Sequence, residues 1–187
     1  VFFNNKIHNN AGPGVHVERN GNPRMLQNKI FHGKSEGVFV CNNGRGRFEA
    51  NDVHNNDAPN VKVMSNSEPF FLSNSIHNGK SEGVQVLDSG AGQFHSNNIF
   101  ENKKSGIQID TGASPEFRLN NVYKGHTFGI ECLHTAKGTF DGNFVYENTN
   151  AGILISTHAN PHFTGNEVYQ GEEQGVLVTE HGQGRFF

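Results

Sequence analysis

Long apolar runs are missing from this 187-residue sequence, and no stretch approaches the length of a membrane-spanning helix, about 18 residues or more. Charge of one sign is scarce as well, because the net charge is −3 and the 15 lysines and arginines are scattered along the chain. A surface that binds nucleic acid would gather such residues on one face. We therefore expect neither a membrane nor a nucleic acid to be a partner.

Cysteine occurs only twice, at Cys41 and Cys132, in different positions of the repeat described below. If the chain coils as that repeat predicts, the two residues lie about 19 Å apart, beyond the reach of a disulfide bond. We expect two free thiols, with Cys132 taking the place of a core valine. No asparagine begins an Asn-x-Ser/Thr glycosylation pattern. Together the two absences favour an intracellular protein of the cytoplasm or nucleus.

An asparagine that returns every 23 residues is the most regular feature of the chain. It occurs at Asn5, Asn28, Asn51, Asn74, Asn97, Asn120, Asn143 and Asn166, with no insertion between any two. Self-similarity at a fixed period of this length marks a repeat architecture, so that one repeat predicts the whole fold.

Apolar residues follow the same period in four columns, represented in one repeat by Phe94, Ile99, Ile107 and Ile109. The last two are separated by one residue, which is the alternation of a strand and not the spacing of a helix. Gly-rich turns separate the strands. The pattern predicts an all-β chain, a single-stranded parallel β-helix (solenoid) of about eight coils with three short strands each. We expect it to be right-handed, because parallel crossover connections nearly always are.

Three repeated positions predict details of the coil. The asparagine ladder should point inward at a corner, since a buried amide without partners costs a few kcal/mol. The phenylalanine column should form a buried aromatic stack. The residue before the third strand is glycine in every coil except at Asn60. We expect a left-handed turn there, because glycine and asparagine tolerate positive φ.

A second period of 46 residues lies inside the first. Two residues before the phenylalanine column the chain alternates proline and glycine, as at Pro69 and Gly92. Five residues after the ladder it alternates asparagine and glycine, as at Asn56 and Gly79. Proline at the first site must stand at the entry to a strand, where its missing N–H costs no ladder bond. The repeating unit is therefore a pair of coils.

The period covers residues 1–187 without a linker or a change of composition, so we expect one parallel β-helix domain. Neither end carries the polar or helical cap that keeps the last coil of a solenoid out of water. We therefore expect the sequence to be a fragment of a longer chain, without its caps.

The outward columns show no paired carboxylates. Glycoside hydrolysis needs two acidic residues, and calcium needs several oxygen ligands, yet no outward column puts two carboxylates on adjacent coils. We expect no catalytic residue, no metal site and no cofactor, and the pattern favours a chain that is not an enzyme.

Two groups of histidines need separate interpretation. His54 and His77 share a column on adjacent coils near Asp52, as a base and its orienting acid would. Their column also contains Phe31 and Tyr123, however, and flat rings stack from coil to coil. Packing is the interpretation that we favour.

The second group consists of His158 and His181, which are also column neighbours, with His134 and Glu180 in the column one position earlier. These residue types would bind zinc if the turn folded inward. We favour a chance cluster in a polar turn.

A small apolar strip is predicted near the end of the chain. The outward column of the third strand is mostly polar but ends in Leu154 and Leu177, and Phe144 stands in another outward column of the same region. Exposed apolar strips with polar surroundings tend to be contact sites. We expect a protein partner to bind here, at these three residues and at Gln108 and Glu131 of the same column as the leucines.

Two stretches carry a resemblance to a known family. They are Asn22-Pro23-x4-Asn28-x-Ile30-x2-Gly33-x3-Gly37-Val38-x-Val40 and Gly44-x-Gly46-x-Phe48-x2-Asn51-x-Val53-x2-Asn56. Their pattern resembles the β-helix repeats of the F-box ubiquitin-ligase adaptors, which also alternate Asn-Pro and Gly-x-Gly types. Residues 151–161 are especially similar. Part of the resemblance is shared with the right-handed β-helix repeats called carbohydrate-binding and sugar-hydrolysis domains.

The resemblance implies a non-catalytic scaffold that binds a protein, because in the adaptors the β-helix receives the substrate, between an F-box and a zinc-binding domain. Two alternatives remain open. One is a carbohydrate-binding or polysaccharide lyase- or epimerase-like β-helix, so that carbohydrate is a possible partner. The other is a structural rod in a large intracellular assembly.

Overall fold

The computed structural model describes residues 1–187 as 25 short strands in three parallel sheets. Sheet 1 contains Phe2–Phe3 (β1), Arg24–Leu26 (β4), Arg47–Glu49 (β7), Phe70–Leu72 (β10), Gln93–His95 (β13), Glu116–Arg118 (β16), Thr139–Asp141 (β19), His162–Thr164 (β22) and Arg185–Phe186 (β25). Sheet 2 contains Lys6–His8 (β2), Lys29–Phe31 (β5), Asp52–His54 (β8), Ser75–His77 (β11), Asn98–Phe100 (β14), Asn121–Tyr123 (β17), Phe144–Tyr146 (β20) and Glu167–Tyr169 (β23). Sheet 3 contains Val15–Val17 (β3), Val38–Val40 (β6), Val61–Val63 (β9), Val84–Val86 (β12), Ile107–Ile109 (β15), Ile130–Cys132 (β18), Ile153–Ile155 (β21) and Val176–Val178 (β24).

Each strand pairs in parallel with the equivalent strand of the next coil. Ile76 lies opposite Ile99 in sheet 2, and Val84 lies opposite Ile107 in sheet 3. The register stays constant because every coil has the same number of residues. The prediction of a parallel β-helix with three strands per coil is confirmed. The structure contains no helix that could span a membrane.

The inward side chains form one continuous core. Ile99, Ile107 and Ile109 are fully buried, and the phenylalanine rings from Phe48 to Phe163 stack with centroids 4.5–5.3 Å apart. Burying a side chain of this size contributes about 1.5–3 kcal/mol. The predicted aromatic stack is confirmed, and it binds each coil to the next along the axis.

The asparagine ladder is internal, as predicted. The side-chain oxygen of Asn120 accepts hydrogen bonds from the backbone N–H and the side-chain Nδ2 of Asn97, at 2.9 and 3.0 Å. The same Nδ2 donates to the carbonyl of Phe71 at 3.2 Å, and Asn97 in turn accepts from Asn74. Each amide therefore satisfies its neighbour, which removes the cost of burying it.

The 46-residue period has a structural explanation in a second, interrupted ladder. The side-chain oxygens of Asn56 and Asn102 each accept the backbone N–H of the glycine one coil earlier, Gly33 and Gly79, at 3.0 Å. Asn60 bridges the two, since it accepts from Asn56 and donates to Asn102, both at 2.9 Å. Gly79 leaves room for this bridge, because a Cβ atom there would lie 2.6 Å from Asn60 Nδ2.

The expectation of a left-handed turn before the third strand is wrong. None of the residues in that column has a positive φ, Asn60 included. Glycine is needed there for space, because a Cβ atom on Gly83 would lie 2.6 Å from both the carbonyl oxygen of Gly106 and the side chain of Ile99. Close approach of successive backbones, and not chain reversal, explains this glycine column.

Left-handed residues follow the third strand, as at Asn42, and others occur at the two corners that flank sheet 2. These corner residues stand directly before the asparagine ladder, as at Ser73 and Ser96, and directly after the second strand, as at Asn55 and Asn78, with φ between 50° and 55°. Each corner turns the chain so that the ladder points inward while the neighbouring strand residues point outward.

Both cysteines are buried and free, as predicted. Cys132 is fully buried in β18, where burial and then the Glu131 carboxylate raise the pKa of its thiol. Burial and then the Glu18 carboxylate also raise the pKa of Cys41. Both residues are therefore neutral thiols at physiological pH.

Candidate functional site

Sheets 1 and 2 offer the broadest outward surfaces, because their central strands bury one side chain of three, whereas those of sheet 3 bury two. Sheet 2 carries two parallel outward columns. The first contains Lys6, Lys29, Asp52, Ser75, Asn98, Asn121, Phe144 and Glu167, and the second contains His8, Phe31, His54, His77, Phe100, Tyr123, Tyr146 and Tyr169. A ligand on this face would therefore meet a polar column beside an aromatic one.

Four polar side chains converge on this face, and we call them the Asp52 cluster: Lys29, Asp52, His54 and His77. His77 Nε2 lies 2.9 Å from Asp52 Oδ1, and His54 Nε2 lies 3.9 Å from Asp52 Oδ2. Lys29 Nζ lies 3.9 Å from the same Oδ2. Parallel register causes the convergence, because β5, β8 and β11 are successive strands of sheet 2.

The two imidazoles are oriented by the asparagine that follows each of them. His77 Nδ1 lies 2.6 Å from Asn78 Oδ1, and His54 Nδ1 lies 2.8 Å from Asn55 Oδ1. Both asparagines have positive φ, which turns their amides back toward the strand. His77 therefore has an oxygen acceptor at each ring nitrogen, and its Nε2 is held against the Asp52 carboxylate.

The second column of sheet 2 is a continuous stack of rings, as the packing interpretation predicts. Successive ring centroids from His8 to Tyr169 lie 4.6–5.1 Å apart. The stacking covers the ring faces, so the column offers mainly ring edges to solvent. The sequence interpretation was incomplete on one point, because stacking leaves the histidine nitrogens free to contact Asp52.

The tyrosine hydroxyls toward the C-terminal end of the stack are hydrogen-bond donors. Burial raises the pKa of the Tyr123 hydroxyl, and the carboxylates of Glu101 and Glu147 add to the shift. Burial, followed by Tyr123, Tyr169 and Glu147, raises the pKa of Tyr146 in the same way. The phenols of Tyr123 and Tyr146 therefore stay protonated up to alkaline pH.

The predicted partner-binding residues do not form one surface. Gln108, Glu131, Leu154 and Leu177 follow one another in sheet 3, but Phe144 belongs to sheet 2. Leu154 is only 8% exposed, so the expectation that it forms an exposed strip is wrong. Its neighbours in the register of the sheet are Glu131 and Leu177.

Gln108 and Glu131 belong to a ladder of polar side chains. Gln85 donates to Gln108 at 2.7 Å, and Gln108 donates to Glu131 at 3.0 Å. Ser105 also donates to Glu131, at 2.7 Å. These side chains satisfy one another's hydrogen-bonding groups, which leaves fewer free hydrogen-bond donors for a protein partner.

The histidines of the second group do not form a ligand set. His158 stacks on His181 with centroids 5.2 Å apart, and His134 Nδ1 lies 2.8 Å from Asp110 in the coil before. Glu180 accepts from the hydroxyl of Ser156 at 3.0 Å. Each side chain has its own partner, which fits the interpretation of a polar turn.

A groove on sheet 1 was missed by sequence reasoning. It has a volume of about 610 Å³, and its lining includes Arg47, Glu68, Phe70, Gln93 and Glu116. The guanidinium of Arg47 lies 4.8 Å from the centroid of the Phe70 ring. Phe70 stands in an outward column without other phenylalanines between Arg24 and Thr139, so no repeat signals it. The two carboxylates outnumber the single guanidinium and make the groove unsuited to a polyanion.

A model of the family described as the right-handed β-helix region matches residues 1–122 and 96–186 of the chain. No curated protein sequence matches the chain significantly.

Several solved structures are similar in fold. The periplasmic alginate epimerase AlgG T265N mutant aligns with a TM-score of 0.78 and 14% identity, over 94% of this chain and 48% of that one. AlgG itself gives a TM-score of 0.73 and 14% identity, over 93% and 44%. The Azotobacter vinelandii mannuronan C-5 epimerase AlgE6 A-module gives 0.68 and 12%, over 96% and 63%. At these identities the similarity shows the fold alone, and the chain spans about half the length of AlgG.

Proposed function

Since the chain belongs to the right-handed β-helix family, we propose that it binds an acidic polysaccharide along the outward face of sheet 2. The observation that carries the proposal is the Asp52 cluster, in which two imidazoles and one ammonium surround a single carboxylate on an accessible face. A linear polymer can follow the face, because equivalent side chains recur at about 4.8 Å from strand to strand.

Two lysines of the first column supply permanent positive charge. Lys6 lies opposite Lys29 in the register of sheet 2, and both are exposed. The nearest carboxylate to Lys29 Nζ is that of Asp52, at 3.9 Å, which leaves its N–H donors largely free. Two ammonium groups on adjacent coils suit carboxylates carried at regular intervals by a sugar polymer.

The rest of sheet 2 supplies neutral donors and acceptors. Asn98 and Asn121 continue the first column, joined by a hydrogen bond of 2.9 Å. The protonated phenols of Tyr123 and Tyr146 stand beside them. Hydroxyl and amide groups of this kind hydrogen-bond sugar hydroxyls. The names of the proteins similar in fold, which specify alginate and mannuronan, support a sugar polymer as the ligand class.

Binding to polysaccharides of different charge tests the proposal. The chain should bind a polyuronate and not an uncharged glucan in calorimetry, and binding should weaken as salt is added. Lys29→Gln should weaken it several-fold. Lys137→Gln is the matched control, because Lys137 is also exposed and lies between β18 and β19, away from sheet 2. Equal binding of the uncharged glucan, or equal loss in both variants, would contradict the proposal.

Proton transfer is a second candidate function, favoured by the 2.9 Å contact between His77 Nε2 and Asp52. An imidazole held by a carboxylate is suited to accept or donate a proton. Removal of the proton from the carbon next to a sugar carboxylate places additional negative charge on that carboxylate. The Lys29 ammonium would stabilise this charge. An epimerase-like or lyase-like reaction would use these groups.

Deuterium incorporation separates catalysis from binding. If the cluster moves protons, a polyuronate incubated with the chain in D₂O should gain deuterium at the carbon next to its carboxylate. His77→Gln should abolish the exchange. His95→Gln is the control, because His95 Nε2 lies 3.2 Å from Glu116 on sheet 1, away from the cluster. Binding without exchange would leave the chain a carbohydrate-binding scaffold.

A protein partner, which the F-box resemblance implies, has less support. Leu154 is buried, and only Phe144 and the half-buried Leu177 keep accessible apolar surface among the residues proposed for it. The comparisons give no support to an F-box adaptor. Phe144→Asp and Leu177→Asp would test this alternative, since capture of a protein that both variants abolish would restore it.

A further inference from the structure

We propose that His16, Glu18 and Cys41 together bind a divalent metal ion of the zinc type at the outer face of sheet 3. His16 Nε2 lies 3.4 Å from Cys41 Sγ, and the ligand atoms of all three residues lie within 4.8 Å of one another. Sequence reasoning predicted no metal site. The site lies on a different sheet from the Asp52 cluster, and the proposal does not rest on a polysaccharide ligand.

The distances suit tetrahedral zinc. Zinc binds thiolate sulfur at about 2.3 Å and imidazole nitrogen at about 2.0–2.1 Å, which puts the two ligand atoms about 3.6 Å apart. The observed separation of 3.4 Å is close to this value. The carboxylate of Glu18 is at the end of a rotatable side chain, so small rotations bring it to the same centre.

The fold explains why these three residues meet. Glu18 and Cys41 occupy the same position in successive coils, directly after β3 and β6. His16 is the outward residue of β3, two positions before Glu18, and its ring stacks on Phe39 with centroids 5.0 Å apart. The stack holds the imidazole beside the sulfur. Phe39 therefore acts as a positioning residue for His16.

The ligand types select the metal. Thiolate, imidazole and carboxylate together suit zinc and its neighbours among the transition metals. The Cys41 thiol, which is neutral without the metal, releases its proton to solvent when the metal–sulfur bond forms. Calcium and magnesium prefer oxygen ligands alone. Cys41 is buried while His16 is exposed, so one side of the site is open to an incoming ion and to a water ligand in the fourth position.

One neighbouring cation competes for Glu18. Arg19 Nε lies 3.8 Å from the Glu18 carboxylate, but the arginine side chain is 83% exposed. An ion pair this open contributes little energy. The arginine can move into solvent when a metal ion occupies the site.

Titration of the chelator-treated chain with zinc chloride, followed by calorimetry, tests the proposal. We expect the wild type to bind a single zinc ion, and cobalt chloride to give the near-ultraviolet charge-transfer band of a thiolate–cobalt bond. Cys41→Ser should remove this band. His16→Gln, Glu18→Gln and Cys41→Ser should each weaken zinc binding at least about tenfold, the lower limit for losing even a group behind the ligands.

Cys132→Val is the matched control, because equivalent positions of the same column hold valine, as in Val86. It should leave both zinc binding and the cobalt band unchanged. Serine already stands in the Cys41 column at Ser156, and His16 is exposed, so the variants should fold. A wild type that binds no zinc, a cobalt band that depends on Cys132, or a zinc affinity unchanged in His16→Gln and Cys41→Ser would overturn the proposal.

Discussion

The inward positions of each coil repeat the same residue types, whereas the outward positions vary from coil to coil. The ladder position is asparagine in every coil, whereas the outward column of sheet 3 changes from His16 through Lys62 and Gln85 to Leu177. Inside, the neighbours of a side chain are its own copies in the coils before and after, so one shape that stacks fits everywhere. Outward side chains contact water, so these positions tolerate almost any residue type. Architecture is therefore conveyed by repetition, and a functional site by a local departure from it.

The largest expected contrast is between two phenylalanines of sheet 1. Phe94 is fully buried in the ring stack, while Phe70 points outward. Phe94→Ala should lower the free energy of unfolding by about 3–5 kcal/mol, because it leaves a cavity in the stack. Phe70→Ala should cost less than about 1 kcal/mol, mainly through its contact with Arg47. Denaturant unfolding measures both, and similar costs would show that the inside and the outside do not differ in this way.

Adjacent asparagines give the next contrast. Asn97→Ala should cost about 1–3 kcal/mol, because it leaves the buried donors of Asn74 without an acceptor. Asn98→Ala should cost less than about 0.5 kcal/mol, since its side chain is exposed. The same unfolding experiment compares the two variants. A cost for Asn98→Ala as large as that for Asn97→Ala would contradict the internal ladder.

Two glycines should respond with opposite signs. Gly83→Ala should destabilise by about 1–3 kcal/mol, because its Cβ atom would meet the carbonyl oxygen of Gly106 at 2.6 Å. A Cβ atom on Gly12 would have no neighbouring atom within 4 Å. Gly12→Ala should be neutral or stabilise by up to about 1 kcal/mol, through lower entropy of the unfolded chain. Thermal unfolding midpoints distinguish these results. Destabilisation by both substitutions would show that lack of space for a Cβ atom does not explain the effect of Gly83→Ala.

The smallest effect concerns alkaline pH. The folded pKa values of Tyr123 and Tyr146 are raised, while an unfolded tyrosine titrates near about 10. Above that pH the unfolded state releases protons first and binds fewer than the folded state, so stability falls as the pH rises. Below the unfolded pKa the two tyrosines are protonated in both states, and their contribution to stability is fully present. The double variant Tyr123→Phe with Tyr146→Phe should flatten the loss of the thermal unfolding midpoint as the pH rises above about 10, the unfolded pKa.

Sequence reasoning predicted the fold well because the fold repeats. The interval from Asn74 to Asn97 is also the interval between paired strands, so the sequence period is the register of the sheets. The inward ladder and the aromatic stack followed from the same interval. The intracellular location, in contrast, stays a prediction, because it rests on two compositional absences.

The candidate sites were harder to predict because side-chain directions and close approaches decide them. Asp52, His54 and His77 were recognised as neighbours, yet only coordinates show His77 Nε2 at 2.9 Å from the carboxylate. Leu154 was expected to be exposed and is buried. Alternation along a strand distinguishes inward from outward positions, but it does not show how far neighbouring side chains cover an outward residue.

The sequence by itself determined the coil, its length, its three strands and the inward columns, because a repeat of identical spacing admits one stacked arrangement in which copies satisfy one another. The tertiary structure decided where the glycine column is needed and which outward groups meet. Cys41 was treated as an isolated thiol until the coils were stacked, when His16 and Glu18 of the preceding coil came within reach of its sulfur. The reason is physical: contacts across coils depend on the angle of each side chain and on the distance between backbones, and neither is encoded in the period.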